Sequence, residues 1–444
     1  MRRSWSRHVI ILMLALGGCT TSQSEPSTPA DVTEATIEPI VSATPFVESI
    51  LETTTSAPPL VVDEPTPDPS AFLFNTFHME TESVGWGTAD IPDAQGTWYT
   101  RILHTADGGH NWLDVSPANG LEIKNTFFLD GENAWVITTN PDVVSSENPP
   151  TVLLWQTRDG GQTWNKGEPL TERGMALGWE MFFVDTQHGW LISGNDVAMG
   201  TTAVTLYKTE DGGINWTEIF STFLDKEPPP RTFPLGCYKS FLWFRDPSIG
   251  WVMGGCWADN SVLFLKTSDG GLIWQQQELP APAEPASGPS CSPYPPTFFS
   301  PQEGILQIIC TTTDLLIYHT HDGGQTWDIP AHRPRMMVTT LVDFVDANNG
   351  WHFAVEDSPA NMEGRAFYVT HDGGKTWSEI DPVFDIGNSS DLPYNKLEAV
   401  GDFNFIDLNT GWATLNGYYD YSLILKTTDG GLTWTHWVPH WQAQ

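Results

Sequence analysis

The stretch "KTTDGGLTW" runs from Lys426 to Trp434 and places an aspartate directly before two glycines. Six more stretches share its form, with Asp, Gly-Gly and Trp at fixed positions. The threonines before the aspartates recur about every 50 to 58 residues, and a period of this size predicts a repeat architecture. The seven aspartates and tryptophans are Asp107, Asp159, Asp211, Asp269, Asp322, Asp372 and Asp429, with Trp112, Trp164, Trp216, Trp274, Trp327, Trp377 and Trp434.

A second pattern, F-x-D-x-x-x-G-W, precedes most of these boxes, as in "DFVDANNGW" ending at Trp351 and "NFIDLNTGW" ending at Trp412. Alternating apolar runs such as residues 341–345 predict four short antiparallel strands per unit. Seven units of this kind predict an all-β fold over residues 71–444. We therefore expect a seven-bladed β-propeller of four-stranded antiparallel blades, with the box in the turn between strands three and four of each blade.

The composition of the box predicts a structural part in that turn. An Asp carboxylate can accept hydrogen bonds from the N–H groups of its own turn, and paired glycines adopt positive φ without strain. We expect the Trp to pack beneath the turn, between neighbouring blades. Because seven equivalent copies surround the ring, we expect the boxes to stabilise the fold and not to catalyse a reaction.

The N-terminus predicts export. "MRRSWSRHVIILMLALGGC" combines arginines, an apolar run and small residues before Cys19, which is the form of a lipoprotein signal peptide over residues 1–19 with Cys19 as the lipidation site. Residues 20–70 are about half Ser, Thr and Pro and predict a disordered tether. We expect a lipid-anchored protein on the outer face of a bacterial membrane, at the cell surface or in the periplasm.

The charge and the motif content exclude several classes of function. A formal net charge of −35 argues against a nucleic-acid partner, which would need a basic surface. The sequence has no glycine-rich phosphate loop and no nucleophile elbow, so we expect no cofactor. We expect no metal site, and the histidines of the boxes, such as His319 and His321, are expected to be solvated.

The T-x-D-G-G-x-x-W unit resembles the Asp-box, or bacterial neuraminidase repeat. Together with the F-x-D-x-x-x-G-W element in a seven-unit chain, it is most similar to the photosystem II stability and assembly-factor family. That resemblance implies an exported, non-catalytic monomer that binds a protein partner, such as a subunit of a membrane complex.

The resemblance also directs attention to arginine, because those factors bind their partner partly through an arginine-rich patch. This chain is poor in arginine, but one small basic island is predicted on the loops of a single rim. Scattered surface arginines are the alternative. The candidate partner-binding residues are Arg231, Arg333, Arg335 and Arg365.

An alternative function is glycan binding or glycoside hydrolysis, because Asp-box propellers include sialidases and xyloglucan-processing enzymes. The chain departs from the sialidase pattern of six blades and three substrate-binding arginines. The long loops 221–238 and 278–296 are candidates for a glycan-binding rim. A carboxylate pair on the loop rim, one member with a raised pKa, would favour hydrolysis.

Four cysteines follow Cys19, in two pairs separated by 19 residues each. Each pair brackets the first hairpin of a blade, so its members are expected to lie across neighbouring strands. In an oxidising compartment this predicts the disulfides Cys237–Cys256 and Cys291–Cys310, one of three possible connectivities.

Overall fold

A computed structural model describes residues 73–93, 96–118, 121–139, 151–171, 178–198, 201–256, 261–282, 291–310, 314–329, 331–333, 337–355, 365–385, 400–416 and 422–442. The predicted signal peptide, tether and Cys19 lie outside these ranges. The described residues form an all-β fold of seven small sheets, and they contain no helix. The predicted seven-bladed propeller of antiparallel blades is confirmed.

The strands of blades 1 to 3 are β1 (Leu73–Met79), β2 (Gly85–Pro92), β3 (Trp98–Thr105) and β4 (Asn111–Asp114); β5 (Glu122–Phe128), β6 (Ala134–Thr139), β7 (Thr151–Thr157), β8 (Asn165–Lys166) and β9 (Leu170–Thr171); and β10 (Trp179–Phe183), β11 (Gly189–Ala198), β12 (Thr201–Thr209) and β13 (Thr217–Ser221).

The strands of blades 4 to 7 are β14 (Phe241–Phe244), β15 (Gly250–Cys256), β16 (Ser261–Thr267) and β17 (Gln275–Gln276); β18 (Cys291–Pro293), β19 (Thr297–Phe298), β20 (Gly304–Cys310), β21 (Asp314–Thr320) and β22 (Ala331–Arg333); β23 (Met337–Phe344), β24 (Gly350–Val355), β25 (Arg365–Thr370) and β26 (Ser378–Ile380); and β27 (Val383–Asp385), β28 (Val400–Phe405), β29 (Gly411–Asn416), β30 (Ser422–Thr427) and β31 (Thr433–Trp437). The last strand, β32 (His440–Gln442), belongs to the sheet of blade 1.

The two ends of the propeller differ in their turns. In each blade the turn between strands one and two lies beside the box between strands three and four, and the two are joined by backbone hydrogen bonds such as Gly212 N–H to Gln187 O, 2.8 Å. We call this end the box face. The strand-two-to-three loops and the starts of the first strands lie at the opposite end, the loop face. The first strands of neighbouring blades contact each other around the centre.

The core between blades repeats one aromatic contact. The Trp that begins the second strand of a blade stacks on the Phe that ends the first strand of the next blade. Trp190 and Phe244 have ring centroids 3.5 Å apart, and Trp351 and Phe405 are 3.7 Å apart. The glycine before this Trp leaves room for the Phe of its own blade, because a Cβ on Gly189 would lie 2.4 Å from Phe183. In the Gly-Trp pair, the glycine therefore makes room for the Phe of its own blade and the Trp stacks on the Phe of the next blade.

The same tryptophans also connect neighbouring blades through hydrogen bonds from their indole N–H groups. Trp190 of blade 3 donates to the box carbonyl of Gly270 in blade 4, at 2.9 Å, and Trp351 of blade 6 donates to Gly430 in blade 7, at 2.8 Å. Blade 5 has Ile305 in place of this Trp. There His319 bonds the box carbonyl of Gly373 in blade 6 through Nε2, at 2.7 Å.

Ring closure reuses the contact that connects consecutive blades. The segment after blade 6 forms β27, which runs parallel to β31 at the outer edge of blade 7. The segment after blade 7 forms β32, which runs parallel to β4 at the outer edge of blade 1. The sheet of blade 1 therefore combines β1 to β4 with β32 from the other end of the described chain. The C-terminal segment occupies, beside blade 1, the place that an inter-blade connection occupies elsewhere.

Candidate functional site

The box aspartates are engaged within their own turns. In blade 5 the Oδ1 of Asp322 accepts the N–H of Thr326 at 2.9 Å and the hydroxyl of Thr320 at 2.9 Å, while Oδ2 accepts the Thr326 hydroxyl at 2.6 Å. Both glycines of every box have positive φ, for example 74° at Gly323 and 77° at Gly324. Each box carboxylate therefore closes a turn at the box face.

These hydrogen bonds keep the carboxylates ionised. Partial burial of Asp322 opposes ionisation, but the bonds from Thr326 and Thr320 outweigh it and lower the pKa of Asp322 to about 2. Bonds of the same kind lower the pKa values of five other box aspartates, Asp107, Asp159, Asp211, Asp372 and Asp429. These six aspartates are therefore poor proton donors at neutral pH.

The box tryptophans lie beneath their turns. The indole of Trp112 is buried and donates to Gly109 O of its own box at 2.9 Å, as Trp434 does to Gly431 O at 2.9 Å. Trp164 differs, because it donates to Val115 O of the preceding blade at 2.6 Å.

The structure contains the two disulfides that the cysteine spacing favours. Cys237 is bonded to Cys256 in blade 4, and Cys291 is bonded to Cys310 in blade 5. Two structural disulfides indicate an oxidising, exported compartment.

The four candidate arginines do not share one rim. The backbone carbonyl of Arg231 accepts the N–H of Trp274 in the box of blade 4, so Arg231 lies near the box face, with φ of 62°. Arg365 pairs with Val355 at the loop-face end of blade 6, and Arg333 pairs with Leu315 at the loop-face end of blade 5. Arg335 lies outside the described residues. The predicted rim position is therefore wrong for Arg231, whereas Arg333 and Arg365 do lie at one end of the ring, and their part in partner binding stays a prediction.

The loop 221–238 covers the seam between blades 3 and 4. Its Phe233 is buried and contacts Phe220 and Trp274 edge-on, with ring centroids 4.9 and 5.1 Å apart. Lys239, just after this loop, donates to the carbonyls of Cys237 and Thr202, and burial lowers its pKa to about 7. These side chains face protein and not a ligand. Of the other candidate loop, residues 283–290 lie outside the described part of the chain.

The box histidines are not uniformly solvated. His321 is exposed, as expected, but His319 is partly buried against Gly373, and burial lowers its pKa. Within the described residues, no cluster of His, Cys, Asp and Glu could hold a metal ion. Among the described residues there is no helix long and apolar enough to span a membrane.

The most perturbed carboxyl of the described chain is Glu180, which the sequence argument missed. It is the second residue of β10, the innermost strand of blade 3, so it lies toward the loop face at the centre of the ring. Its side chain keeps a small exposed fraction, yet it is enclosed deeply enough that burial raises its pKa to about 8. No described group donates a hydrogen bond to it or pairs with it. The sequence does contain a sign of this residue, because in "WEMFF" (Trp179–Phe183) a single acidic residue interrupts an otherwise apolar strand.

A second carboxyl of opposite character lies on the neighbouring innermost strand. Glu122 begins β5 of blade 2, also at the loop face, and β5 contacts β10. Its hydrogen bond with Lys124, together with one from Thr139, lowers its pKa despite partial burial. Its side chain is 55% exposed, and Lys124 Nζ lies 2.6 Å from its Oε1. The loop face therefore carries two carboxyl groups whose pKa values are shifted in opposite directions, on the innermost strands of neighbouring blades.

Comparisons with known proteins agree with the fold. A family model for the BNR/Asp-box repeat matches residues 368–379, the box region of blade 6. The chain is similar to the GH74 xyloglucanase from Xanthomonas campestris, with a TM-score of 0.50 and 14% identity, covering 83% of this chain and 54% of that one. It thus spans about half the length of the xyloglucanase. No curated protein matches the chain.

Two further structures share the architecture less closely. One is an ulvan lyase of polysaccharide lyase family PL25, with a TM-score of 0.46, 10% identity and coverage of 83% of this chain and 92% of that chain. The other is the GH93 α-L-arabinofuranosidase of Fusarium graminearum, with a TM-score of 0.39, 14% identity and coverage of 65% and 89%. The molecule is thus a seven-bladed Asp-box β-propeller.

The expectation that the protein is not an enzyme is contradicted by these comparisons. It was drawn from the structural role of seven equivalent boxes, but the GH74 xyloglucanase, which shares the fold, is an enzyme. The boxes stabilise turns at the box face, so their structural role does not bear on whether the loop face carries an active site. None of these three proteins is described as a photosystem assembly factor.

Proposed function

We propose that the protein binds a glycan at the loop face and hydrolyses a glycosidic bond there, with Glu180 as the proton donor. The observation that carries this proposal is the enclosed, unpaired carboxyl of Glu180, whose pKa is raised to about 8. Such a group stays protonated at neutral pH, which is the state a general acid needs when it protonates the leaving glycosidic oxygen.

Glu122 is the proposed partner of Glu180. Glycoside hydrolysis uses a second carboxylate, as nucleophile or as the base that activates water. Glu122 is ionised and exposed, and it lies on the adjacent innermost strand. Environments that push two carboxyl pKa values apart assign the acid and the base. Water supplies the hydroxyl of the new reducing end, and the proton from Glu180 leaves with the departing sugar.

The test is a reducing-end assay of wild type, Glu180→Gln and Glu122→Gln on soluble polysaccharides and aryl glycosides. We expect turnover by wild type and a loss of at least about a hundredfold in each variant, as removal of a general acid or its partner typically produces. Glu218→Gln on β13 is the control and should retain full turnover. Unchanged turnover in Glu180→Gln would overturn the assignment of the acid, and no turnover by wild type would overturn hydrolysis itself.

We also propose that the chain is exported and lipid-anchored through Cys19. The form of residues 1–19 supports this, and the two disulfides fit the compartment. Metabolic labelling with a clickable fatty acid should mark wild type and not Cys19→Ala, and equal labelling of both proteins would refute the anchor. A role in holding photosystem subunits stays a prediction from the sequence resemblance.

A further inference from the structure

An exposed aromatic pair lies on the loop face of blade 1. Trp98 and Tyr99 begin β3 and are 39% and 40% exposed. Successive residues of a strand point to opposite faces of the sheet, so the two rings lie on different sides of the blade. Ile102, four residues after Trp98, packs with Phe128 and Val136 of blade 2. Trp98 therefore lies on the face toward blade 2, and Tyr99 lies on the other.

Polar side chains lie between the centre of the ring and Trp98, on the side of blade 1 that faces blade 2. Thr100 pairs with Asp90 across β3 and β2, and its hydroxyl donates to Asp90 Oδ1 at 2.7 Å. Asn75 donates to the same oxygen through Nδ2 at 2.9 Å. A register shift between Phe74 and Thr76 leaves Asn75 out of the ladder of β1, and such bulges re-aim a side chain.

These bonds leave acceptors exposed. Asp90 uses Oδ1 twice, and within the described residues neither its Oδ2 nor the Asn75 Oδ1 receives a hydrogen bond. Sugar hydroxyls are donors that suit such acceptors, while the C–H faces of a sugar ring suit an exposed indole. Small-molecule sites typically combine a few fixed polar groups with an aromatic side chain, as this surface does.

We infer that Trp98, Thr100, Asp90 and Asn75 form a binding subsite for a neutral glycan on the blade-2 side of blade 1. The inference rests on the proposed function and adds the substrate class. The ligand is neutral because a carboxylate faces the site and the chain has a formal net charge of −35, so an anionic polysaccharide would be repelled. The subsite lies at the loop face, where Glu180 and Glu122 also lie, so a chain bound there extends toward the ring centre.

Affinity electrophoresis tests the subsite without requiring catalysis. The full chain carrying Glu180→Gln is run in gels containing xyloglucan, arabinan or polygalacturonate. We expect retardation by at least one neutral polymer and none by polygalacturonate. Adding Trp98→Ala should weaken binding by about tenfold or more, the loss expected from removing one good contact. Adding Tyr99→Ala is the matched control, because that ring is equally exposed on the opposite face, and it should leave binding unchanged.

The outcomes separate this inference from the proposed reaction. The subsite would be overturned if Trp98→Ala were retarded as strongly as the parent, or if Tyr99→Ala lost as much binding as Trp98→Ala. It would also be overturned if polygalacturonate bound equally well or if no neutral polymer bound. Turnover of a small aryl glycoside, lost in Glu180→Gln and retained in Tyr99→Ala, would leave the reaction standing when the subsite fails. Normal Trp98-dependent binding without turnover by wild type would leave the subsite standing alone. Circular dichroism confirms that each variant folds.

Discussion

The indole N–H of Trp412 in blade 7 donates to the carbonyl of Gly108 in the first box, at 3.2 Å. The bond joins residues 304 positions apart in the sequence and repeats, at the closing seam, the bond that joins Trp190 to Gly270 inside the ring. Asn404 adds a second tie across this seam, because it bonds both the N–H and the carbonyl of Met79. The ring therefore closes by the same contacts that join its internal blades.

Loss of the closing indole bond should cost as much as loss of an internal one. Trp412→Phe and Trp190→Phe each keep an aromatic ring and remove one N–H donor. We expect each to lower the free energy of unfolding by about 1 to 2 kcal/mol, since a buried carbonyl loses its partner. Urea denaturation measures both. A much larger loss for Trp412→Phe would mean that the closing seam is a special, weaker joint.

Removal of a box carboxylate should affect stability and spare the loop face. Asp322→Ala removes the acceptor of the Thr326 and Thr320 bonds, and we expect a loss of about 1 kcal/mol because solvent screens this turn. The folded pKa of Asp322 is lowered to about 2, so its contribution is complete above the ordinary Asp value and is lost as the pH falls through about 2. The difference between wild type and variant, measured by thermal unfolding from pH 6 to pH 2, should therefore shrink in acid. A constant difference would contradict the role of ionisation.

Either disulfide should stabilise its blade by restricting the unfolded chain. Cys237 and Cys256 are separated by 19 residues, and closure of a loop of this size contributes about 3 kcal/mol. The Cys237→Ser, Cys256→Ser double variant should lose about this amount by denaturant unfolding, and the equivalent Cys291 and Cys310 variant should match it. Peptide mapping without reduction checks the linkages, and a Cys256–Cys291 peptide would contradict the connectivity.

Glu180→Gln should stabilise the fold. Because the folded pKa of Glu180 is raised to about 8, the wild type loses stability as the pH rises from the ordinary Glu value through about 8. A neutral glutamine avoids this loss, so the variant should be more stable at pH 7 by on the order of 3 kcal/mol and nearly equal at pH 4. Thermal unfolding at both pH values measures this, with Glu218→Gln as the exposed control. Equal stability at pH 7 would show that the carboxyl is not buried at a cost.

Much of the fold is readable from the sequence because the box and the G-W element act locally. Asp322 needs only the next few residues to close its turn, and Gly189 is required by Phe183 of its own hairpin, so each copy carries its own structural signal. Arg231 could not be placed in this way, because its position follows from the path of a connection around blade 4.

The site was harder to predict for the same reason. Glu180 lies in a strand whose sequence resembles that of any other core strand, and its pKa is raised by burial that exists only in the folded protein. Glu122 was one acid among 55 acidic residues, and only the pairing of β5 beside β10 singles it out. Repetition predicts the scaffold, whereas function lies where one blade departs from the others.

The most direct measurement is the protonation state of Glu180 itself. Infrared difference spectroscopy between wild type and Glu180→Gln isolates the carboxylic acid C=O band of this residue across a pH titration. A band present at pH 7 that disappears with a midpoint near 8, with turnover declining over the same range, is the predicted result. The assignment of Glu180 as the acid would be contradicted if its carboxyl were already ionised at pH 5. It would also be contradicted if the turnover rate did not change over the pH range in which Glu180 titrates.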